Sequence, residues 1–185
     1  MILVLFSGGI DSMVLANMAA HKNKKFGFVH FTYDHPAKSE EMAAVLKWCL
    51  AKKMHVQKLF MHLPLQASQL NAGAGKQGPR IVPGRNSCFV SMAANLAAAH
   101  NYEELWIGCT AEDHQYPDCS AEWLANQNKL LSLWGLTLKA PLMQMTRAEI
   151  LEIAKAHNWQ LKAWSCYQPI KGEPCMQCNS CRQGQ

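Results

Sequence analysis

The sequence predicts an α/β fold in which one parallel sheet is covered by helices on both faces. Short apolar runs alternate with stretches of helical period, the pattern of parallel strands joined by crossover helices. The strand-like runs are apolar on both faces instead of alternating, as in sheets covered on both sides. The chain has 185 residues, 49% of them hydrophobic and 17% charged. That is enough to bury a core within a single domain over 1–185 and too apolar for disorder.

Residues 2–6 read as the first strand and 11–21 as the first helix. A second strand covers 26–32. A helix over 39–54 places Met42, Val45, Leu46, Cys49 and Leu50 on one stripe. A third strand covers 56–61. The helix over 85–100 has Phe89, Met92, Ala93, Leu96 and Ala97 on one face. A strand over 105–109, a helix over 120–133 and a short strand over 136–140 follow. Thr146 and Glu149 have the spacing of a capping box that opens a helix through His157. The stretch 63–82, with Pro64, Gly73, Gly75, Gly78 and Pro79, interrupts this rhythm and is expected to be a mobile loop beside the site.

With 18 Lys and Arg against 13 Asp and Glu, the formal net charge is +5. The basic residues are scattered, so no direct nucleic-acid contact is expected. No apolar run approaches the roughly 20 residues that span a bilayer. The N-terminal run is too short and lacks the basic start of a secretion signal, which leads us to expect a cytoplasmic protein with no membrane contact.

The loop after the first strand runs Phe6-Ser7-Gly8-Gly9-Ile10-Asp11-Ser12. Adjacent glycines let successive N–H groups converge, and the helix start behind them adds partial positive charge. Ser7 and Ser12 add hydroxyl donors. Such a loop suits phosphate oxygens, and Gly9 is the position expected to need positive φ and close approach. It is neither a Walker loop nor a dinucleotide fingerprint.

Of the eight cysteines, Cys166, Cys175, Cys178 and Cys181 fall within sixteen residues. Four thiolates at this spacing suit a structural, tetrahedral Zn²⁺, and the same set also suits an iron–sulfur cluster. Residues 164–185 are thus read as a metal-pinned C-terminal segment. Cys49, Cys88, Cys109 and Cys119 are expected to be buried core thiols.

Three further stretches fall at the expected carboxyl edge of the sheet, where open α/β sheets bind ligands. They are Val82-Pro83-Gly84-Arg85-Asn86, Gly108-Cys109-Thr110-Ala111-Glu112-Asp113 and Tyr116-Pro117-Asp118-Cys119. Arg85 has the fork for a phosphate or carboxylate. Asp113 and Asp118 suit Mg²⁺ or the donor edge of a base.

The Ser7–Ser12 hexapeptide matches the pyrophosphate loop of the N-type ATP pyrophosphatases. With Val-Pro-Gly-Arg-Asn, Tyr-Pro-Asp-Cys, Ala140-Pro141-Leu142, Trp164-Ser165-Cys166-Tyr167 and the cysteine knuckle in this order, the chain resembles the QueC-type 7-cyano-7-deazaguanine synthases over nearly its whole length. The resemblance implies a Rossmann-like sheet of the adenine nucleotide alpha hydrolase type, a homodimer and one zinc per chain. It also implies ATP binding by residues 6–12 and catalytic roles for Asp11, Arg85, Asp113 and Asp118. The implied reaction converts 7-carboxy-7-deazaguanine and ammonia, with two ATP and Mg²⁺, first to an amide and then to the nitrile of queuosine-type biosynthesis. The sequence departs from the family pattern at Tyr33-Asp34-His35-Pro36, at Ser120 in place of Arg, and at Met176 in place of Gly. Three alternatives are an amide-forming variant serving DNA modification, a tRNA-thiolase-type adenylating enzyme, and a non-catalytic zinc-stabilised nucleotide-binding module.

Overall fold

The computed structural model describes residues 1–22, 25–63 and 81–183; most of the predicted mobile loop over 63–82 lies outside them. Five parallel strands form the sheet: β1 (Ile2–Leu5), β2 (Phe26–Thr32), β3 (Gln57–Phe60), β4 (Glu104–Trp106) and β5 (Thr137–Lys139), in the order β3-β2-β1-β4-β5. The chain order reverses direction across the sheet between β1 and β4, which pair in register from Ile2–Glu104 to Val4–Trp106. A crevice opens at the carboxyl ends of two such neighbours because their following segments leave in opposite senses.

The period-two pleat sorts the strands onto two cores. Ile2, Val4, Phe6 and Phe28 face α1 (Ile10–His21), α2 (Lys38–Lys52) and α5 (Arg147–Ala156). Leu3, Leu5, Val29, Phe31 and Leu105 face α3 (Arg85–Ala99) and α4 (Ala121–Leu131). A last short helix, α6, spans Asn179–Gln183. Every β1 residue is buried, as its unbroken apolar run requires. Among the described residues, no helix is long and apolar enough to cross a membrane.

Three expectations change. The buried stripe of α2 runs through Ala44, Val45, Trp48 and Cys49, while Leu46 and Leu50 are exposed. Trp48 packs edge-on against Phe6 and Phe28, and the large area this buries turns the helix away from the stripe of aliphatic spacing. The strand expected over 105–109 pairs only through Trp106, and Gly108 and Cys109 leave the ladder to line a cavity. Cys88 is exposed, unlike Cys49, Cys109 and Cys119, because α3 buries the neighbouring face through Asn86, Val90, Ala93 and Ala97.

The outer edge of β5 is closed by one side chain. Asn128 on α4 accepts from Leu138 N–H through Oδ1 at 2.8 Å and donates from Nδ2 to Leu138 O at 3.0 Å. Replacing it leaves both backbone groups unpaired at the edge strand. Asn128→Ala should therefore lower unfolding free energy by about 2 kcal/mol in urea titrations.

Candidate active site

The site grows from the turn that ends β1. Gly8 has φ +89° and a β-carbon there would lie 2.7 Å from the Glu41 backbone carbonyl, so only glycine fits. This corrects the expectation for Gly9, whose φ is −75° and whose nearest neighbour to a β-carbon stands at 3.5 Å. The strain falls one residue earlier because Gly8, not Gly9, passes beneath α2.

The two serines organise the loop from within. Ser12 Oγ accepts the Gly8 N–H at 3.1 Å and donates to Gly9 O at 3.0 Å. Ser7 Oγ accepts the Gly9 N–H at 3.3 Å and reaches Ser12 Oγ at 3.1 Å. Helix α1 starts at Ile10 with no side-chain cap, so its first-turn N–H groups and partial positive charge are available to an anion. Gly108 packs against this start, with its β-carbon position 3.4 Å from Ser12 N.

A cavity of about 250 Å³ opens in front of the loop. Its wall includes Ser7, Gly9, Asp11, Ser12, Arg85, Asp113 and Asp118, together with Tyr33, Glu41, Arg147, Trp164 and Tyr167. Arg85, Asp113 and Asp118, expected at the carboxyl edge of the sheet, therefore converge on one space with residues of the loop. The second group was not assigned to the site from the sequence, although a signal existed for four of them: Trp164 and Tyr167 belong to the Trp-Ser-Cys-Tyr motif, Tyr33 sits where β2 ends, and Arg147 immediately follows the N-cap of a helix whose capping box was legible.

Around the loop, Arg147 Nη1 lies 3.4 Å from Asp11 Oδ1. Burial raises the Asp11 pKa, Arg147 counters it, and Asp113 and Glu112 add to the rise. Asp113 Oδ2 accepts from both N–H and Oγ1 of Thr110 at 2.8 Å, closing a short 3-10 turn. Asp118 Oδ2 accepts the Asn86 N–H at 2.9 Å, and Asp118 O accepts from Asn86 Nδ2 at 3.0 Å. The first turn of α3 is thus capped from a distant segment, and Arg85 beside Asn86 is fixed with it. Ser120 caps α4, its Oγ accepting the Trp123 N–H at 3.0 Å.

Across the cavity, Arg85 Nη1 donates to the Tyr33 hydroxyl at 3.1 Å, while its buried Nε has no partner among the described residues. Burial opposes the Arg85 charge, but Tyr33, Glu41 and Asp118 outweigh it and the pKa lies above its usual value. His35 stacks on Tyr33 and its Nε2 lies 3.5 Å from Glu41 Oε2. Burial pushes His35 down to about 4 and Glu41 up to about 7, with Arg85 pulling Glu41 the other way. Asp34, exposed in this segment, pairs with Lys38 at 2.7 Å.

Behind the loop, the Sγ atoms of Cys166, Cys175, Cys178 and Cys181 lie within 4.8 Å of one another, and all four residues are buried. A tetrahedral ion at about 2.3 Å from each sulfur separates them by about 3.8 Å, so the cluster fits a metal with little movement. Four thiols without oxygen or nitrogen donors favour a soft-ligand centre. Met176 turns the knuckle at φ +57°, a left-handed conformation that a side chain disfavours by about 1 kcal/mol.

The two loop glycines separate stability from binding. Gly8→Ala should cost 2 kcal/mol or more, roughly, because left-handed strain adds to the clash with Glu41 O. Gly9→Ala should leave urea stability nearly unchanged and weaken only the binding of a phosphate-bearing ligand, read by calorimetric titration.

Residues 1–185 match the family described as queuosine biosynthesis protein QueC. A Leptospira biflexa protein named 7-cyano-7-deazaguanine synthase is 32% identical over 213 residues, covering 97% of this chain and 86% of the relative. One of the same name from Nitratiruptor sp. is 30% identical over 199 residues, covering 97% and 89%. Among solved structures, NMN synthetase from Francisella tularensis superposes with a TM-score of 0.63 at 13% identity, over 99% of this chain and 71% of its own. The U34-tRNA thiolase NcsA from Methanococcus maripaludis, solved with its 4Fe–4S cluster, gives 0.57 at 16%, over 92% and 62%. At such identities these two speak for the fold alone. The family match runs from end to end and the sequence relatives cover nearly the whole chain, so the chain belongs to the QueC family of queuosine biosynthesis proteins.

Proposed function

We propose that this protein is an ATP-dependent, carbon–nitrogen-bond-forming enzyme that converts 7-carboxy-7-deazaguanine and ammonia to 7-cyano-7-deazaguanine. The reading rests on one observation above all: Ser7, Gly9, Ile10, Asp11 and Ser12 of the loop, with Arg85, Asp113 and Asp118, line a single cavity at the switch between β1 and β4.

In this reading the uncapped first-turn N–H groups of α1 hold the ATP phosphates, with Arg147 beside them. Asp11 and Asp113 are the carboxylates that would hold Mg²⁺, which would supply charge for the departing pyrophosphate. Arg85 orients the substrate carboxylate in line with the α-phosphate, where a fixed cation and proximity both lower the barrier. Carboxylate oxygen attacks the α-phosphorus and pyrophosphate leaves. Ammonia then attacks the acyl carbon, AMP leaves and a proton is lost, giving the amide. The amide oxygen then attacks the α-phosphorus of a second ATP, pyrophosphate leaves and one N–H proton is lost; departure of AMP with loss of the second N–H proton leaves the nitrile. Asp118 and Glu41 are the acceptors facing N–H donors of the heterocycle.

The test is incubation with ATP, Mg²⁺, ammonium and 7-carboxy-7-deazaguanine, followed by mass analysis. Nitrile should appear with two AMP and two pyrophosphate per product. An amide end point would assign the chain to amide formation, and no AMP release would overturn the proposal.

The cysteine knuckle is proposed to hold one structural Zn²⁺. Cys178→Ser should lower metal content and stability together, since local folding and metal binding are linked. Met176→Gly should keep the metal and gain about 1 kcal/mol by removing left-handed strain. Elemental analysis that found iron in place of zinc would reject the zinc assignment.

A further inference from the structure

The cysteine knuckle and the phosphate loop lie far apart in sequence, yet one residue touches both. The Trp164 backbone N–H donates to Gly8 O at 2.9 Å. Its indole Nε1 donates to Cys166 O at 2.8 Å. The ring packs against the core beneath the loop, formed by Phe6, Met13 and neighbours, and also against the four-cysteine cluster. The Trp164 carbonyl stands 3.8 Å from the β-carbon position of Gly9.

We infer that Trp164 is a positioning residue that couples the metal knuckle to the phosphate loop, so that metal and nucleotide each strengthen the binding of the other. Gly8 is held between two bodies: Glu41 O on α2 closes one side of it, and the Trp164 N–H ties its carbonyl on the other. The segment around Trp164, residues 158–165, has no helix or strand of its own. Its geometry is set at one end by α5 and at the other by Cys166. Metal on Cys166 fixes the Cys166 carbonyl, the carbonyl fixes the indole, and the backbone of the same residue holds the loop that would carry phosphate. Ser165, Tyr167 and Ser180 of the same region also reach the cavity. Neighbours of metal ligands thus become part of the nucleotide wall. Coupling of this kind is reciprocal in free energy.

The inference depends on the loop being the ATP site and the knuckle holding zinc, and the experiment separates these. The zinc-loaded full chain is titrated against a chromophoric chelator of known zinc affinity. The titration is run with and without a saturating α,β-methylene ATP analogue and Mg²⁺. In the wild type, the analogue should raise apparent zinc affinity by about two- to tenfold, the net effect of one hydrogen bond. In Trp164→Phe, which removes the indole donor and part of the ring's packing while keeping the backbone N–H on Gly8 O, zinc should still load at one per chain but the factor should fall to near one. Analogue binding by the zinc-loaded variant should weaken by a similar factor.

An unchanged zinc affinity in the wild type, with both ligands bound, would overturn the coupling and leave the proposed function standing. Retention of the full factor in Trp164→Phe would show that the coupling does not pass through the indole. Absence of zinc or of analogue binding in the wild type would reject the site readings themselves. The wild-type comparison decides the coupling even if the variant folds poorly.

Discussion

The approach of α2 to the first loop, at a glycine that no other residue can replace, is the contact on which the site depends. Gly8 turns at φ +89° with the Glu41 carbonyl against it. That turn aims the Gly8 carbonyl at Trp164 and sends the chain into α1 with its first N–H groups toward the cavity. The same passage brings Glu41 to the cavity wall. A wider separation of α2 from β1 would relieve the crowding and lose all three consequences, because interiors pack too closely to shift one contact alone.

Charge placement in the cavity follows a consistent physical pattern. Arg85, Glu41 and Asp11 are all largely withdrawn from water, and each departs from its ordinary pKa. Burying such groups costs stability unless partners compensate. Compensation within the protein is incomplete: Arg85 Nε has no partner among the described residues, and Glu41 meets His35 only at 3.5 Å. An anionic, N–H-bearing ligand of the proposed kind would supply the missing partners, which is how a preformed site gains selectivity over a ligand lacking one of those groups.

The aspartates show how one residue serves structure and site together. Asp113 closes its own turn with Oδ2, and Asp118 caps α3 with Oδ2. Holding the carboxylates this way fixes their orientation toward the cavity before any ligand arrives. It also means that removing Asp118 disturbs Arg85, whose helix turn it caps.

The sequence by itself determined the parallel sheet, the phosphate-type loop and the four-cysteine cluster. Each is encoded locally: unbroken apolar runs, a six-residue turn between strand and helix, and two Cys-x-x-Cys spacings. It also brought Arg85, Asp113 and Asp118 to the right sheet edge, since β-strand ends fix where their following loops emerge. Only the tertiary structure decided that Gly8 carries the left-handed turn, that Trp48 outweighs Leu46 and Leu50 in orienting α2, and that Glu41, Arg147 and Trp164 join the cavity. These depend on contacts between segments up to a chain length apart, such as Asp11 with Arg147 and Gly8 with Trp164. Periodicity reports which face of a segment is apolar, but the partner that face or side chain meets is chosen by packing across the sheet.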